Sequence, residues 1–223
     1  MAYKECYVAF IDILGFTNYV ENNNFDDVNM VLEFLKVEKN TADSSLKMKY
    51  GIPYESINIL LVSDSIILSI EKDIKNSFEA IIWMCACFQA SLLINSQMLM
   101  RGAISCGEFY IKDTILFGKA YLKAYELERK YKTPRIIIDE AIDISKMSDK
   151  TYVKKDENDN VLFVDYLNMA LKSCGFTYKQ TMIEKSIIDN LNVFKYQKEY
   201  LKYDWIKDYY NSCTNNEIYL EET

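Results

Sequence analysis

The stretch YVAFIDIL, residues 7–14, is a continuous apolar run that contains one carboxylate and ends at Gly15. A run of this length bounded by a turn residue predicts a central strand that is buried on both faces. A carboxylate inside such a strand is costly unless it is paired or binds a cation. We therefore expect Asp12 to have a functional partner.

Two isoleucine-rich runs follow, residues 56–62 and 65–70, and only Ser63 and Asp64 separate them. Their spacing predicts a hairpin with Asp64 at its tip. Carboxylates on neighbouring strand ends can meet at one edge of a sheet, where hard oxygen ligands suit Mg²⁺ or Mn²⁺. Asp64 alone is weaker evidence because Ser-Asp is ordinary turn chemistry. Gly15 either shapes a turn or lets backbone amides approach a phosphate.

The remaining apolar pattern alternates between helical and strand spacing, in the order β-α-β-β-α-β-α-β. It predicts an α/β (α+β) fold with a ferredoxin-like core, in which helices cover one face of a mixed, mainly antiparallel sheet. Residues 1–165 form the predicted domain, and residues 166–223 form a C-terminal helical extension packed on it. Aromatic residues in that extension are more typical of packing than of base stacking. The predicted helices are 18–40, 74–97, 118–131 and from 178 onward; the predicted later strands are 101–109, 135–138, 152–155 and 161–164.

Composition excludes several kinds of chemistry. The chain has 223 residues, six cysteines, no histidine and a net charge of −7. The absence of histidine excludes Ser-His-Asp and Cys-His catalysis and histidine-ligated metals. The negative charge disfavours a nucleic acid polymer as partner, although a small nucleotide bound through a metal remains compatible. With no signal-like or membrane-spanning run near residue 1, we expect a cytoplasmic protein that binds no membrane.

Four segments resemble the class III adenylyl and guanylyl cyclases. Residues 10–17, FIDILGFT, look like the family's first metal-binding segment, Phe-x-Asp-Ile-x-Gly-Phe-Thr. Residues 62–64, VSD, look like its second, with Ser63 in place of a glycine. Residues 101–107, RGAISCG, resemble its Arg-x-Gly-Ile-x-x-Gly strand, with Ala103 in place of a glycine, and Phe117-Gly118 aligns with its Trp-Gly. The resemblance covers roughly residues 7–140.

The resemblance implies a cyclase-type site that turns a nucleoside triphosphate into a 3′,5′-cyclic nucleotide. Asp12, Asp64 and the Ile13 carbonyl would hold two Mg²⁺ or Mn²⁺ ions. Catalytic roles would fall on the two aspartates and Arg101, and the position of Lys123 on the helix after Gly118 suggests a catalytic role for it as well. The resemblance also implies a head-to-tail homodimer whose sites lie between subunits. The implied substrate-binding residues are Gly15, Phe16, Thr17, Leu60, Ile115 and Lys119.

Two departures concern the helix after Gly118. The family uses an Asn and an Arg there to orient the ribose and stabilise the transition state, and register places Leu122 and Glu126 at those positions. Lys119 and Lys123 lie four residues apart on the same helix, so both could face the triphosphate from the partner subunit. A solvated helix face is the alternative, and it is favoured for Lys119.

A third departure from the family pattern concerns the residues that select the nucleotide base. The purine-selecting positions fall near Leu60 and Ile115, which are both apolar, so neither purine preference carries over. Divergent cyclases of this kind resemble the pyrimidine cyclases of the bacterial antiphage systems called Pycsar. Arg101 opens a core strand and needs an anionic partner, which could be phosphate, Glu128 or Glu108.

Two other functions stay open. An inactive cyclase-fold module that binds a nucleotide or a partner and acts by dimerisation is favoured by the missing Asn/Arg pair. A polymerase-type enzyme would share paired aspartates on a ferredoxin-like core.

Overall fold

The computed structural model describes residues 2–113, 115–172, 176–214 and 218. Its strands are β1 (Lys4–Ile13), β2 (Ile57–Val62), β3 (Ser65–Glu71), β4 (Met100–Lys112), β5 (Ile115–Phe117), β6 (Ile136–Ile138), β7 (Val153–Lys155) and β8 (Leu162–Val164). Its helices are α1 (Phe16–Asn22), α2 (Phe25–Tyr50), α3 (Ser77–Ser96), α4 (Lys119–Lys130), α5 (Tyr166–Lys172), α6 (Phe176–Val193) and α7 (Tyr200–Asn211).

The strands form one mixed sheet with the order β2-β3-β1-β4-β6-β8-β7, and β5 pairs with β4 outside this path. Strands β4 and β6 are parallel, and the other pairs are antiparallel. The predicted α+β class with a mainly antiparallel sheet is confirmed. The first strand lies at the centre of the sheet, as its apolar sequence predicts.

Helices cover both faces of the sheet, so the prediction of a single covered face is wrong. On one face, Ala9, Ile11 and Ile13 of β1 join the main core under α3. On the other face, Cys6, Val8 and Phe10 pack with Ala120 and Ala124 of α4. Successive strand side chains point to opposite faces, so a strand apolar at every position requires a cover on each side.

One helix among the described residues, α3, is long and apolar enough to cross a membrane by length and composition. Its most apolar window is 72% buried inside the protein. This helix is therefore the core helix of the domain, and its apolar surface contacts the sheet and neighbouring helices.

The predicted helix 18–40 is two helices. Helix α1 ends at Asn22, and the chain restarts at α2, where the Asn24 side chain accepts a hydrogen bond from the backbone N–H of Asp27 at 3.0 Å. Such a cap stabilises a new helix start. Helix α2 continues to Tyr50 and ends at Gly51, which adopts a left-handed conformation. Strand β5 is also absent from the prediction.

Helices α5, α6 and α7 follow β8, and side chains of α7 attach it to the sheet. The Tyr209 hydroxyl donates to Asp165 Oδ1 at 2.5 Å, and Trp205 Nε1 donates to Asp156 Oδ2 at 2.9 Å. The Trp205 ring packs edge-on against Phe163 of β8. These aromatic side chains of α7 therefore serve packing. The domain boundary at residue 165 stays a prediction.

Candidate functional site

Strand register brings Asp12 and Asp64 to the same edge of the sheet. Val62 pairs with Ser65, which leaves Ser63 and Asp64 as the hairpin turn. Asp12 pairs with Ser65 across β1 and β3, and the next residue, Ile13, donates its backbone N–H to the Asp64 carbonyl at 3.0 Å. The two aspartates of the predicted site therefore lie on neighbouring strand ends.

The hairpin turn contains Ser63, one of the departures from the family pattern. Ser63 has φ 56°, a left-handed conformation that glycine adopts without cost. Serine pays about 1 kcal/mol for the same turn. Ser63 therefore occupies a conformation that favours glycine, at the position where the family pattern has one.

The Asp12 carboxyl lies in an environment that resists its ionisation. Burial raises its pKa to about 6, and the charges of Asp64 and Glu128 act in the same direction, against Arg101 and Lys202. A divalent cation between Asp12 and Asp64 would remove this penalty. The donor set is hard oxygen, so it fits Mg²⁺ or Mn²⁺.

The number of protein ligands indicates what must complete such a site. Among the described residues, no three His, Cys, Asp or Glu side chains converge as a metal-binding group. Magnesium commonly uses one or two carboxylates and completes its shell with substrate phosphates and water. Two aspartates therefore suit an ion that arrives with a nucleotide.

Arg101 bridges Asp12 and a buried glutamate of α4. Its Nη2 lies 3.5 Å from Asp12 Oδ2, and its Nε lies 2.5 Å from Glu128 Oε1. The Glu128 side chain is only 4% exposed. Of the partners open from sequence, Arg101 takes Glu128, and it also holds Asp12 in place. We call Asp12, Asp64, Arg101 and Glu128 the acidic-edge cluster.

The segment after β1 consists of a turn at Gly15 and a side chain, Phe16, that is buried in the core. Gly15 has φ 78° at the start of α1, so this position favours glycine for conformation alone. Phe16 is buried in the main core, and Thr17 is exposed. Any contact of Phe16 with a nucleotide would therefore involve its backbone.

One predicted substrate residue, Ile115, lies far from the acidic-edge cluster within one chain. Strand β4 runs from Arg101, beside Asp12, to Lys112, beside Ile115, a span of roughly 35 Å at the usual strand rise. Ile115 is 63% exposed. One chain therefore cannot place Asp12 and Ile115 on the same nucleotide.

The remaining predicted positions lie on β2 and on the outer surface of α4. Leu60 packs partly buried against the core under α4. Lys119 is solvent-exposed and pairs with Glu108 at 2.7 Å, as expected for a solvated helix face. Lys123, Leu122 and Glu126 are also exposed on α4.

A residue that the sequence did not indicate, Lys202 of α7, also interacts electrostatically with Asp12 and Arg101. It lies 190 positions after Asp12, in a segment whose apolar spacing predicts only a helix. The position of this helix depends on tertiary packing, so no local pattern could have revealed it.

Comparison of the sequence with protein-family models finds no match, and comparison with curated proteins finds none either. Solved structures do match. The guanylate cyclase domain of RhGC from Catenaria anguillulae, solved in complex with GTP, gives a TM-score of 0.52 at 13% identity, covering 73% of this chain and 95% of that one. The non-canonical dimeric guanylyl cyclase domain of the RhoGC fusion protein from the aquatic fungus Blastocladiella emersonii gives 0.51 at 15% identity, covering 74% and 94%.

The chain therefore has the fold of the class III nucleotidyl cyclase domains. At this level of identity the likeness defines the fold and leaves the chemistry to the residues of the site.

Proposed function

We propose that the protein is a divalent-metal-dependent nucleotidyl cyclase, which converts a nucleoside triphosphate into a 3′,5′-cyclic nucleotide and pyrophosphate. The observation that carries the proposal is the position of Asp12 and Asp64 on adjacent strand ends, with Asp12 held in a partly desolvated environment. The cyclase fold and the oxygen-only donor set support it.

Each residue of the cluster would have a defined role. Asp12, Asp64 and the Ile13 carbonyl would hold two Mg²⁺ or Mn²⁺ ions, and Arg101 would orient the Asp12 carboxylate. The ions would supply Lewis-acid activation of the ribose 3′-hydroxyl and would neutralise triphosphate charge. A bond forms between the 3′-oxygen and the α-phosphorus as the bond to the pyrophosphate oxygen breaks, and the hydroxyl proton passes to solvent.

For the base, CTP and UTP are the substrates we propose. The apolar Leu60 and Ile115 offer no hydrogen bonds that would select a purine, and the resemblance to Pycsar cyclases points to the same pair. An antiphage signal made in the cytoplasm is the biological role that this resemblance suggests.

The decisive experiment incubates the purified protein with each of the four NTPs and Mn²⁺, and identifies products by mass spectrometry. Asp12→Ala and Asp64→Ala should each lower cyclic product formation at least about 100-fold. The exposed Asp73 supplies a matched control, since Asp73→Ala should leave turnover unchanged. Undiminished product from both site variants would refute the assignment, and linear oligonucleotides would identify a polymerase-type enzyme.

The wide separation of Asp12 and Ile115 supports a head-to-tail homodimer in which each site uses both chains. The test mixes Asp12→Ala with Lys123→Ala, each inactive alone. Heterodimers would carry one intact site, so an equal mixture should recover about a quarter of wild-type activity. No recovery, although mass analysis shows that mixed dimers form, would place the whole site in one chain.

One observation favours a second function, an inactive module that binds a nucleotide and acts by dimerisation. Leu122 and Glu126 are exposed on α4 and cannot perform the roles of the family's Asn and Arg. Tight NTP binding by the wild type with no product from any of the four NTPs would support this function.

A further inference from the structure

The C-terminal helix α7 reaches the face of the sheet that carries Asp12. Side chains directly opposite in neighbouring strands share a face, so Asp12 and Arg101 lie on one face. The parallel pairing of Gly102 with Ile136 places Arg135, the residue before Ile136, on that same face.

Contacts of Trp205 place α7 beside this row of side chains. The Arg135 guanidinium carbon lies 5.6 Å from the centre of the Trp205 ring, and the ring packs against Phe163. Lys202 lies three residues before Trp205, and residues three apart share one side of a helix. The helix therefore presents Lys202 toward the acidic-edge cluster.

Lys202 interacts with several charged groups and forms a close ion pair with none of them among the described residues. It is half-buried. Burial lowers its pKa, as do Arg101 and Lys198, while Glu199 and Asp12 act in the opposite direction. Lys202 and Arg101 thus lie near each other at the edge of the proposed metal site, and once metal ions neutralise Asp12 and Asp64 these two cations are left to face a triphosphate.

We infer that Lys202 binds the triphosphate of the nucleotide held at Asp12 and Asp64, in the same chain. The inference rests on the proposed function, and it assigns the C-terminal extension a direct part in the site. A lysine ammonium serves phosphate as a mobile point charge. Lys202 supplies a cation that Leu122 and Glu126 cannot provide, and it acts from α7 instead of α4.

The test measures binding as well as turnover, with CTP and with inorganic tripolyphosphate as probes, both in the presence of Mn²⁺. Lys202→Ala should weaken binding of each probe about 10- to 100-fold, the loss expected for one charge-assisted contact. Binding of CMP, which lacks the β- and γ-phosphates, should change less than about twofold. Lys202→Arg should restore most of the affinity.

Lys198→Ala is the matched control, because Lys198 precedes the same helix and is 90% exposed. It should leave binding of both probes unchanged. Thermal unfolding of each variant separates a loss of binding from a loss of fold, and Lys202→Met, which keeps the apolar stem, replaces Lys202→Ala if that variant unfolds.

The outcomes distinguish this inference from the proposed function. Cyclic product formed by the wild type and by a folded Lys202→Ala variant, with equal tripolyphosphate affinity, overturns the role of Lys202 alone. Tripolyphosphate binding that requires Lys202, with no cyclic product from any NTP, overturns the proposed function and supports the role of Lys202. Failure of the wild type to bind either probe overturns both.

Discussion

Two arginines on one face of the sheet are each held between two carboxylates, and the two groups differ in burial and in how close the contacts are. Arg135 pairs with Asp156 and Asp159, is 1% exposed, and is surrounded by aromatic rings, among them Trp205. Arg101 pairs with Glu128 and more loosely with Asp12, and it is 25% exposed. We call the first group the Arg135 cluster.

The pKa values of one carboxylate in each cluster are shifted in opposite directions. Burial would raise the pKa of Asp159, but hydrogen bonds from Arg135 and from the Val161 N–H outweigh it and lower the pKa. In the acidic-edge cluster burial prevails, and the pKa of Asp12 rises to about 6. Hydrogen bonds stabilise the ionised carboxylate of Asp159, as a structural role requires, whereas the ionised carboxylate of Asp12 still needs a cation, which suits a functional role.

The largest expected effect is the loss of the Arg135 cluster. Arg135→Ala leaves two partly buried carboxylates without their partner and should destabilise the fold by about 3–5 kcal/mol. Arg101→Ala should cost roughly half as much, because its guanidinium is more exposed and its contact with Asp12 is looser. Urea unfolding of both variants measures the difference, and equal losses would remove the distinction between the clusters.

The next largest effect is on the free energy of unfolding, which should change in opposite directions when Asp12 and Asp159 are replaced by asparagine. Asp12→Asn should stabilise the metal-free protein by about 1 kcal/mol near pH 8, after allowance for solvent screening. The folded pKa is raised from 3.8 to about 6, so wild-type stability falls as pH rises through that window. The gain from Asp12→Asn should therefore vanish below about pH 4.

Asp159→Asn is the matched comparison. The pKa of Asp159 is lowered, so its ionised form stabilises the fold above the unfolded value and this contribution is lost as pH falls. Its substitution should destabilise at pH 8, opposite in sign to Asp12→Asn. Added Mn²⁺ should raise the melting temperature of the wild type and not of Asp12→Asn. Destabilisation by Asp12→Asn at pH 8 without metal would contradict our conclusion that the environment of Asp12 resists its ionisation.

The two clusters also differ in how far the sequence could predict them. Asp12 and Asp64 follow from local signals, a carboxylate in an apolar strand and a two-residue turn, and strand pairing then brings them together. Arg135 sits in the sequence as an ordinary polar residue before a short strand, and its partners lie in a polar turn more than twenty residues later. No local sequence pattern predicts that these charges are buried together.

The helices likewise could be predicted only where a local sequence signal exists. The break between α1 and α2 did have a local signal, since Asn24 precedes Asp26 and Asp27 in the first turn of α2. The placement of α4 on the second face of the sheet and of α7 beside β8 had no local signal, because it depends on which strands pair. Lys202 was missed for that reason.

The smallest effect concerns Trp205, which contacts the Arg135 cluster and lies on the same helix as Lys202. Trp205→Phe keeps the ring packing on Phe163 and removes the Nε1 hydrogen bond to Asp156, at a cost of about 1 kcal/mol. Tyr196→Phe is the control, because Tyr196 is 92% exposed and its hydroxyl should contribute nothing to stability. Urea unfolding measures both. If α7 is what presents Lys202 to the acidic-edge cluster, Trp205→Phe should also weaken tripolyphosphate binding, by less than Lys202→Ala does. Weaker stability with unchanged tripolyphosphate affinity would show that the position of Lys202 does not depend on the Arg135 cluster, and the two clusters would then be independent.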